Sequence, residues 1–83
     1  MQLEIITPVT KLYANEIKLV QLPGTKGLFE ILNNHAPIVS SLEKGTIRIV
    51  DKSNHTVYFS ITGGVVECMS NKIVVLADSG QKK

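Results

Sequence analysis

The sequence predicts an all-β fold, a flattened sandwich or barrel of eight to ten short, mostly antiparallel strands in two packed sheets. Apolar and polar residues alternate with a period of two in several segments, which turns one side of each strand toward a core. Turn-forming residues recur at short intervals, as in sandwiches and barrels. No segment shows a sustained helical period. With 83 residues, we expect a single domain over 1–83.

The first clear strand lies at 17–22, where apolar and polar residues begin to alternate. The chain then reaches Pro23-Gly24 and Lys26-Gly27. Proline presets one backbone angle and glycine accepts a positive φ. We therefore expect a turn here that reverses the strand around Leu19 into a strand around Phe29.

An irregular segment follows at Asn33-Asn34-His35-Ala36-Pro37. It places an imidazole and a rigid proline between two apolar runs, and loops of this kind often contact partners. Further turn signals follow along the chain at Glu43-Lys44-Gly45, Asp51-Lys52-Ser53-Asn54, Gly63-Gly64 and Ser70-Asn71.

Two later segments complete the strand pattern. In 56–62, Val57, Phe59 and Ile61 alternate with polar or amphipathic residues, which predicts a half-buried strand. In contrast, 72–77 is apolar on both faces, which predicts a strand lying between two layers.

Composition indicates a globular chain of modest stability. The hydrophobic fraction is 43% against 19% charged residues, unlike a disordered chain. A chain this small buries only about 60–65% of its unfolded surface. The net charge is +2 and includes the terminal pair Lys82-Lys83, so the body is nearly neutral and gives no case for nucleic acid. We see no signal peptide and no run of about 20 apolar residues, so any membrane association should go through another protein.

Residues able to support catalysis are few and scattered. Cys68 is the only cysteine and is expected to be an inert core thiol. His55 falls in a solvated turn, and neither it nor His35 has an identifiable triad partner. Gly63-Gly64 precedes a strand rather than a helix, which favours a bulge or tight bend over a phosphate-binding loop. We expect no catalytic residue, no metal site and no cofactor.

A small β-barrel that binds single-stranded nucleic acid is the alternative function, because such barrels are of similar length. The aromatic residues argue against it, since Phe59 falls on the apolar side of its strand and few rings remain to stack bases. The whole aromatic set is Tyr13, Phe29, Tyr58 and Phe59. The basic residues are also dispersed among acidic ones.

An ordered set of short segments extends over essentially the whole chain. The set comprises Leu3-Glu4-Ile5-Ile6-Thr7-Pro8, Val20-Gln21-Leu22-Pro23-Gly24, Gly27, Asn34-His35-Ala36-Pro37, Leu42, Gly45-Thr46-Ile47-Arg48-Ile49, Gly63-Gly64-Val65-Val66-Glu67 and Val74-Val75-Leu76-Ala77-Asp78. In these segments and their spacing, the sequence resembles the epsilon subunit of the F-type ATP synthase, called delta in mitochondria.

The resemblance implies a β-sandwich and a non-catalytic subunit of the central stalk, or rotor. Such a subunit joins the gamma subunit to the c-ring and couples proton transport to ATP synthesis. It would lie peripherally at the cytoplasmic face of the bacterial inner membrane and reach the membrane only through its partners. Many relatives continue into two C-terminal helices that inhibit rotation or bind ATP. Too few residues follow Ala77 for such a hairpin, so we expect neither property.

The resemblance also implies two sets of interface residues. The c-ring set is Gly24, Thr25, Lys26, Gly27, Leu28 and Glu30. The gamma set is His35, Ala36, Pro37, Ile38 and Val39. Many relatives carry a carboxylate where this chain has Leu28, so a charged contact there would fall to Lys26 or Glu30.

Overall fold

The computed structural model describes all 83 residues and contains seven β-strands and no helix. The strands are β1 (Gln2–Ile6), β2 (Lys11–Gly24), β3 (Gly27–Leu32), β4 (Ile38–Asp51), β5 (Thr56–Met69), β6 (Lys72–Ala77) and β7 (Gly80–Lys82). The predicted all-β fold is confirmed. The strands are slightly fewer and longer than expected, since β2, β4 and β5 each contain 14 residues.

Several predicted turns are bends inside these long strands. Glu43-Lys44-Gly45 lies within β4 and Gly63-Gly64 within β5. Pro23-Gly24 closes β2, and the reversal itself is made by Thr25 and Lys26. A glycine or proline signal marks a change of direction, but it does not show whether strand pairing stops there.

Hydrogen bonding joins the strands in the order β1-β6-β5-β4-β2-β3. An additional pairing of β1 with β2 closes the sheet, and β7 pairs with the first part of β5. All pairings are antiparallel except β1 with β6, which is parallel. The result is a closed, barrel-like sandwich.

The three long strands contribute to both layers of this sandwich. One layer, called the β6 layer, contains β1, β6 and the strand segments 11–16, 38–42 and 64–69. The other, called the β3 layer, contains β3, β7 and the segments 17–24, 45–51 and 56–61. The same three backbones therefore pass from one layer into the other.

Gly64 occupies the point where β5 bends between the layers. Its φ is 154°, and a Cβ placed on it would lie 2.2 Å from the carbonyl oxygen of Leu76 and 2.9 Å from the Cα of Ala77. Because any side chain would collide with the β6 backbone, only glycine fits this approach. Of the bulge or tight bend expected at Gly63-Gly64, no bulge is present, because pairing with β4 keeps its register through both residues. The other edge of β5 changes its partner here from β7 to β6.

The core lies between the layers and contains 17 buried hydrophobic residues in one cluster. The alternation predicted for 56–62 is confirmed, since Phe59 and Ile61 are buried and Tyr58 is exposed. The prediction that 72–77 lies between two layers is wrong. Val75 and its inward neighbours are buried, but Leu76 on the opposite face is 55% exposed, because no further element covers the outside of β6.

The structure contains no helix that could span a membrane.

Candidate protein interface

The hairpin that joins β2 and β3 has a two-residue tip. Gly24 pairs with Gly27, leaving Thr25 and Lys26 as the loop, and Gly27 has a φ of 125°. Gly24 is buried, and a Cβ on it would lie 2.8 Å from the Gly27 oxygen and from the Phe29 ring. Gly24 therefore lets the hairpin close, and the surface of the tip consists of the exposed residues that follow it.

Charge on this hairpin is divided between a paired and an unpaired residue. Glu30 Oε2 lies 3.2 Å from Arg48 Nη2 and accepts a 3.4 Å hydrogen bond from Gln21 Nε2. Lys26 is exposed and forms no ion pair. Leu28 is 67% exposed. The tip therefore presents a free ammonium group beside an uncovered leucine.

The loop between β3 and β4 begins with a tight turn. The His35 amide donates to the Leu32 carbonyl at 3.1 Å, and Asn34 has a φ of 64°, which suits the third position of a type II turn. The His35 ring lies 2.7 Å from the Ala36 carbonyl through Nδ1, which must donate because the carbonyl can only accept. His35, Ala36 and Pro37 are all exposed.

The first two residues of β4 point in opposite directions. Ile38 is half-buried and packs against the core, whereas Val39 is 70% exposed. This is the normal alternation of a strand. Four of the five residues in the gamma set are therefore available to a partner, and Ile38 supports them from inside.

The two predicted sets meet at Val39. The hairpin residues 24–29 and the β4 residues 39–41 line a shared open groove of about 460 Å³. A 3.3 Å hydrogen bond from the Thr25 amide to the Ser41 carbonyl connects its walls. The sequence placed these residues in two loops, and the fold brings the c-ring set against Val39 of the gamma set.

An exposed apolar face was not anticipated from the sequence. Val65 is 39%, Leu76 55% and Met69 57% exposed, all on the outer side of the β6 layer. Val65 pairs with Leu76, and Val39 lies on the neighbouring strand. The sequence signal for this face is the apolar character of both sides of 72–77, which does not show whether the outer side is covered.

Outside the two predicted sets, Asp51 and Cys68 have pKa values that are shifted by their structural surroundings. Asp51 Oδ1 accepts hydrogen bonds from the amides of His55 at 2.9 Å and Ser53 at 2.8 Å, which lowers the pKa of Asp51 and fixes the β4–β5 turn. Burial raises the pKa of the Cys68 thiol. No three His, Cys, Asp or Glu side chains gather where they could hold a metal ion.

The aromatic side chains offer little stacking surface. Tyr13 and Phe59 pack edge to face, with ring centroids 5.7 Å apart and an interplanar angle of 72°. Phe29 is half-buried and packs on the core. Among the four rings only that of Tyr58 is exposed, at 43%. One such ring does not form a platform for successive bases.

Comparison with known proteins identifies the family. The model of the ATP synthase delta/epsilon chain β-sandwich domain matches residues 1–83. The ATP synthase epsilon chain of Pelotomaculum thermopropionicum is 37% identical over 81 residues, covering 98% of this chain and 60% of the relative. That of Chlorobaculum tepidum is 38% identical over 78 residues, covering 92% of this chain and 86% of the relative. The chain thus spans about three fifths of the length of several relatives.

Solved structures share the fold at low sequence identity. A chain in the cryo-EM structure of the Euglena gracilis mitochondrial ATP synthase, OSCP/F1/c-ring, superposes with a TM-score of 0.90 at 13% identity. The match covers 96% of this chain and 51% of the Euglena chain. A chain in the central stalk and c-ring structure from Tetrahymena thermophila gives 0.80 at 18% identity, covering 96% and 64%. No comparison supports the nucleic-acid-binding alternative, and the chain belongs to the ATP synthase delta/epsilon family through its β-sandwich domain.

Proposed function

We propose that this β-sandwich, spanning residues 1–83, is a non-catalytic part of the ATP synthase central stalk that joins the gamma subunit to the c-ring. Through this connection it couples proton transport to ATP synthesis. Family membership supports the proposal, as do the assemblies in which chains with the same fold are found, an ATP synthase OSCP/F1/c-ring assembly and a central stalk with its c-ring. The chain then lies at the cytoplasmic face of a bacterial inner membrane and reaches that membrane through its partners.

The observation that carries the proposal is the groove where the hairpin meets β4. It joins an exposed leucine and an unpaired lysine on one side to the 70% exposed Val39 on the other. Exposed apolar side chains beside polar neighbours are typical of protein interfaces. Two partners that meet at the foot of a stalk can both be contacted from such a position.

The fold suits a part that carries load. Its core of 17 residues is continuous between the layers, and close-packed interiors resist compression. The hairpin tip and the start of β4 are tied to this core through Phe29 and Ile38, which both pack against it. Torque would therefore pass through packed structure rather than through a mobile linker.

Binding of the cognate gamma subunit tests the gamma set. Val39→Asp is expected to raise Kd at least about tenfold, because it places an unpaired carboxylate in an apolar contact. Val9→Asp is the matched control, because Val9 is 90% exposed and lies in the β1–β2 turn. In the sheet, β6 and β5 separate β1 from β4, the strand that carries Val39. Titration calorimetry of both folded variants gives the comparison. Unchanged affinity in Val39→Asp would move the interface to another face, and no binding by the wild-type chain would overturn the assignment.

Binding to a c-ring that carries gamma tests the hairpin. Lys26→Glu and Leu28→Asp are expected to weaken retention of this chain on the gamma–c-ring complex while leaving binding to isolated gamma unchanged. Lys52→Glu, at the exposed β4–β5 turn, provides a control with the same change of charge. Co-sedimentation measures both quantities, the retention on the gamma–c-ring complex and the binding to isolated gamma. Equal retention of all three variants would exclude the hairpin as the ring contact.

A further inference from the structure

The loop that carries His35 is held by a residue distant in sequence. Asn71 lies in the turn between β5 and β6, and its side chain reaches the β3–β4 loop. Its Nδ2 donates to Asn33 Oδ1 at 2.8 Å, and its Oδ1 accepts from the Asn34 amide at 2.9 Å. These contacts bridge 38 and 37 residues of sequence. Both halves of one side-chain amide are thus used to hold consecutive residues of one loop.

The orientation of the Asn71 amide follows from its partners. A backbone N–H can only donate, so the atom facing Asn34 must be the oxygen of Asn71. Its nitrogen then faces Asn33, whose side-chain oxygen accepts. Each end of the Asn71 side-chain amide therefore pairs a donor with an acceptor. The reversed amide could not accept the hydrogen bond from the Asn34 N–H.

The turn that presents Asn71 is itself fixed. Ser70 and Asn71 have φ values of 50° and 62°, and the Gln2 amide donates to the Asn71 carbonyl at 3.1 Å. Asparagine tolerates this left-handed conformation better than most residues. Asn71 therefore combines the backbone conformation that the turn needs with a side chain that the loop needs.

Few other contacts restrain the loop. The His35 amide bonds to Leu32, and the remaining loop residues are exposed. We infer that Asn71 is a positioning residue, which holds the His35-Ala36-Pro37 segment in the conformation that receives the gamma subunit. This inference rests on the proposed function and adds a determinant of that site. If the loop is in the binding conformation for only a fraction of the time, the apparent Kd for gamma is the intrinsic Kd divided by that fraction.

Three substitutions separate the side chain from the backbone. Asn71→Gly keeps a residue suited to positive φ and removes both hydrogen bonds. Ser70→Gly makes the same change of backbone freedom one residue earlier and leaves Asn71 intact. Asn71→Asp retains the oxygen that accepts from the Asn34 amide. The side-chain amide of Asn33 has no other hydrogen bond, so it can rotate and donate its Nδ2 to the new carboxylate.

The first measurement is hydrogen exchange of the His35 amide in the whole chain. This amide keeps its acceptor, the Leu32 carbonyl, in every variant, so faster exchange reports loosening of the loop rather than loss of the mutated bond. Asn71→Gly is expected to speed this exchange about fivefold to tenfold, and the other two variants to leave it near the wild-type rate.

The second measurement is the Kd for gamma. Asn71→Gly is expected to raise Kd at least about twofold and by no more than the factor seen in exchange, and Asn71→Asp to preserve it. Unchanged exchange, or faster exchange with unchanged Kd, would overturn the positioning role. Equal effects of the two glycine variants would also overturn it. If the wild-type chain fails to bind gamma, the proposed function is wrong, and the exchange data alone still decide whether Asn71 holds the loop.

Discussion

Replacing Gly64 by alanine tests how closely β5 and β6 approach at the bend between the layers. The new methyl group would lie 2.2 Å from the Leu76 carbonyl oxygen, where ordinary contact requires more than 3.4 Å. Gly27→Ala is the matched variant, because Gly27 also has a positive φ, 125°, but nothing lies within 4 Å of its Cβ position. The first variant combines strain with a collision, and the second has strain alone.

The expected magnitudes differ enough to measure. Backbone strain at such φ values costs about 1–3 kcal/mol, which is the whole expected effect for Gly27→Ala. Displacing the β6 backbone adds about 1–3 kcal/mol, or more, for Gly64→Ala. A chain of 83 residues has a free energy of unfolding of about 4–12 kcal/mol. Gly64→Ala is therefore expected to lower the free energy of unfolding about twice as much as Gly27→Ala.

Urea unfolding followed by circular dichroism gives the comparison. With a slope of about 1 kcal/mol per molar urea, the midpoint should fall by about 1–3 M for Gly27→Ala and by about 2–6 M for Gly64→Ala. Complete unfolding of Gly64→Ala in buffer agrees with the upper part of that range. Equal midpoints for the two variants would refute the close approach as the reason for glycine at this position.

Three further outcomes are expected. The hydrogen bonds from His55 and Ser53 lower the pKa of Asp51 below its ordinary 3.8, so its stabilising contribution is present above that value and is lost as pH falls through the lower, folded value. Asp51→Asn keeps an oxygen that can accept both hydrogen bonds. The urea midpoint of this variant should therefore fall less steeply than that of the wild type below about pH 4, and an equally steep fall would mean that other groups cause it. Cys68 is 2% exposed, and burial raises the pKa of its thiol. A thiol reagent at pH 8 should therefore label the native chain at least about a hundredfold more slowly than the urea-unfolded chain. Similar labelling rates would contradict the burial of Cys68. Arg48→Ala breaks the exposed contact with Glu30 and should lower stability by less than about 1 kcal/mol in urea unfolding, and a larger loss would mean that this pair supports the hairpin.

Much of the fold could be predicted because strand periodicity is a local property. The alternation around Phe59 correctly assigned its buried and exposed faces. The pattern at 72–77 misled, because apolar residues on both faces of a strand do not reveal whether the second face is covered by the same chain. Leu76 is left uncovered, and only the pairing of β6 with its neighbours shows this.

The candidate interface was less accessible from the sequence. The turn at Asn33-Asn34 and the exposure expected of His35 follow from residue type. The contact between this loop and Asn71 does not, because no local rule relates residues 37 positions apart. The same limit applies to the groove, in which Val39 meets the hairpin tip only after β4 has paired with β2.

The passage of β2, β4 and β5 through both layers also bears on how the chain reaches its folded state. Neither layer can be completed without the strands of the other, so we expect no stable half-folded intermediate and one cooperative transition. The parallel pairing of β1 with β6 joins residues about 70 positions apart, and such distant contacts slow folding to milliseconds or longer. A protease cut within any of the three long strands should therefore disassemble both layers together, leaving no folded fragment.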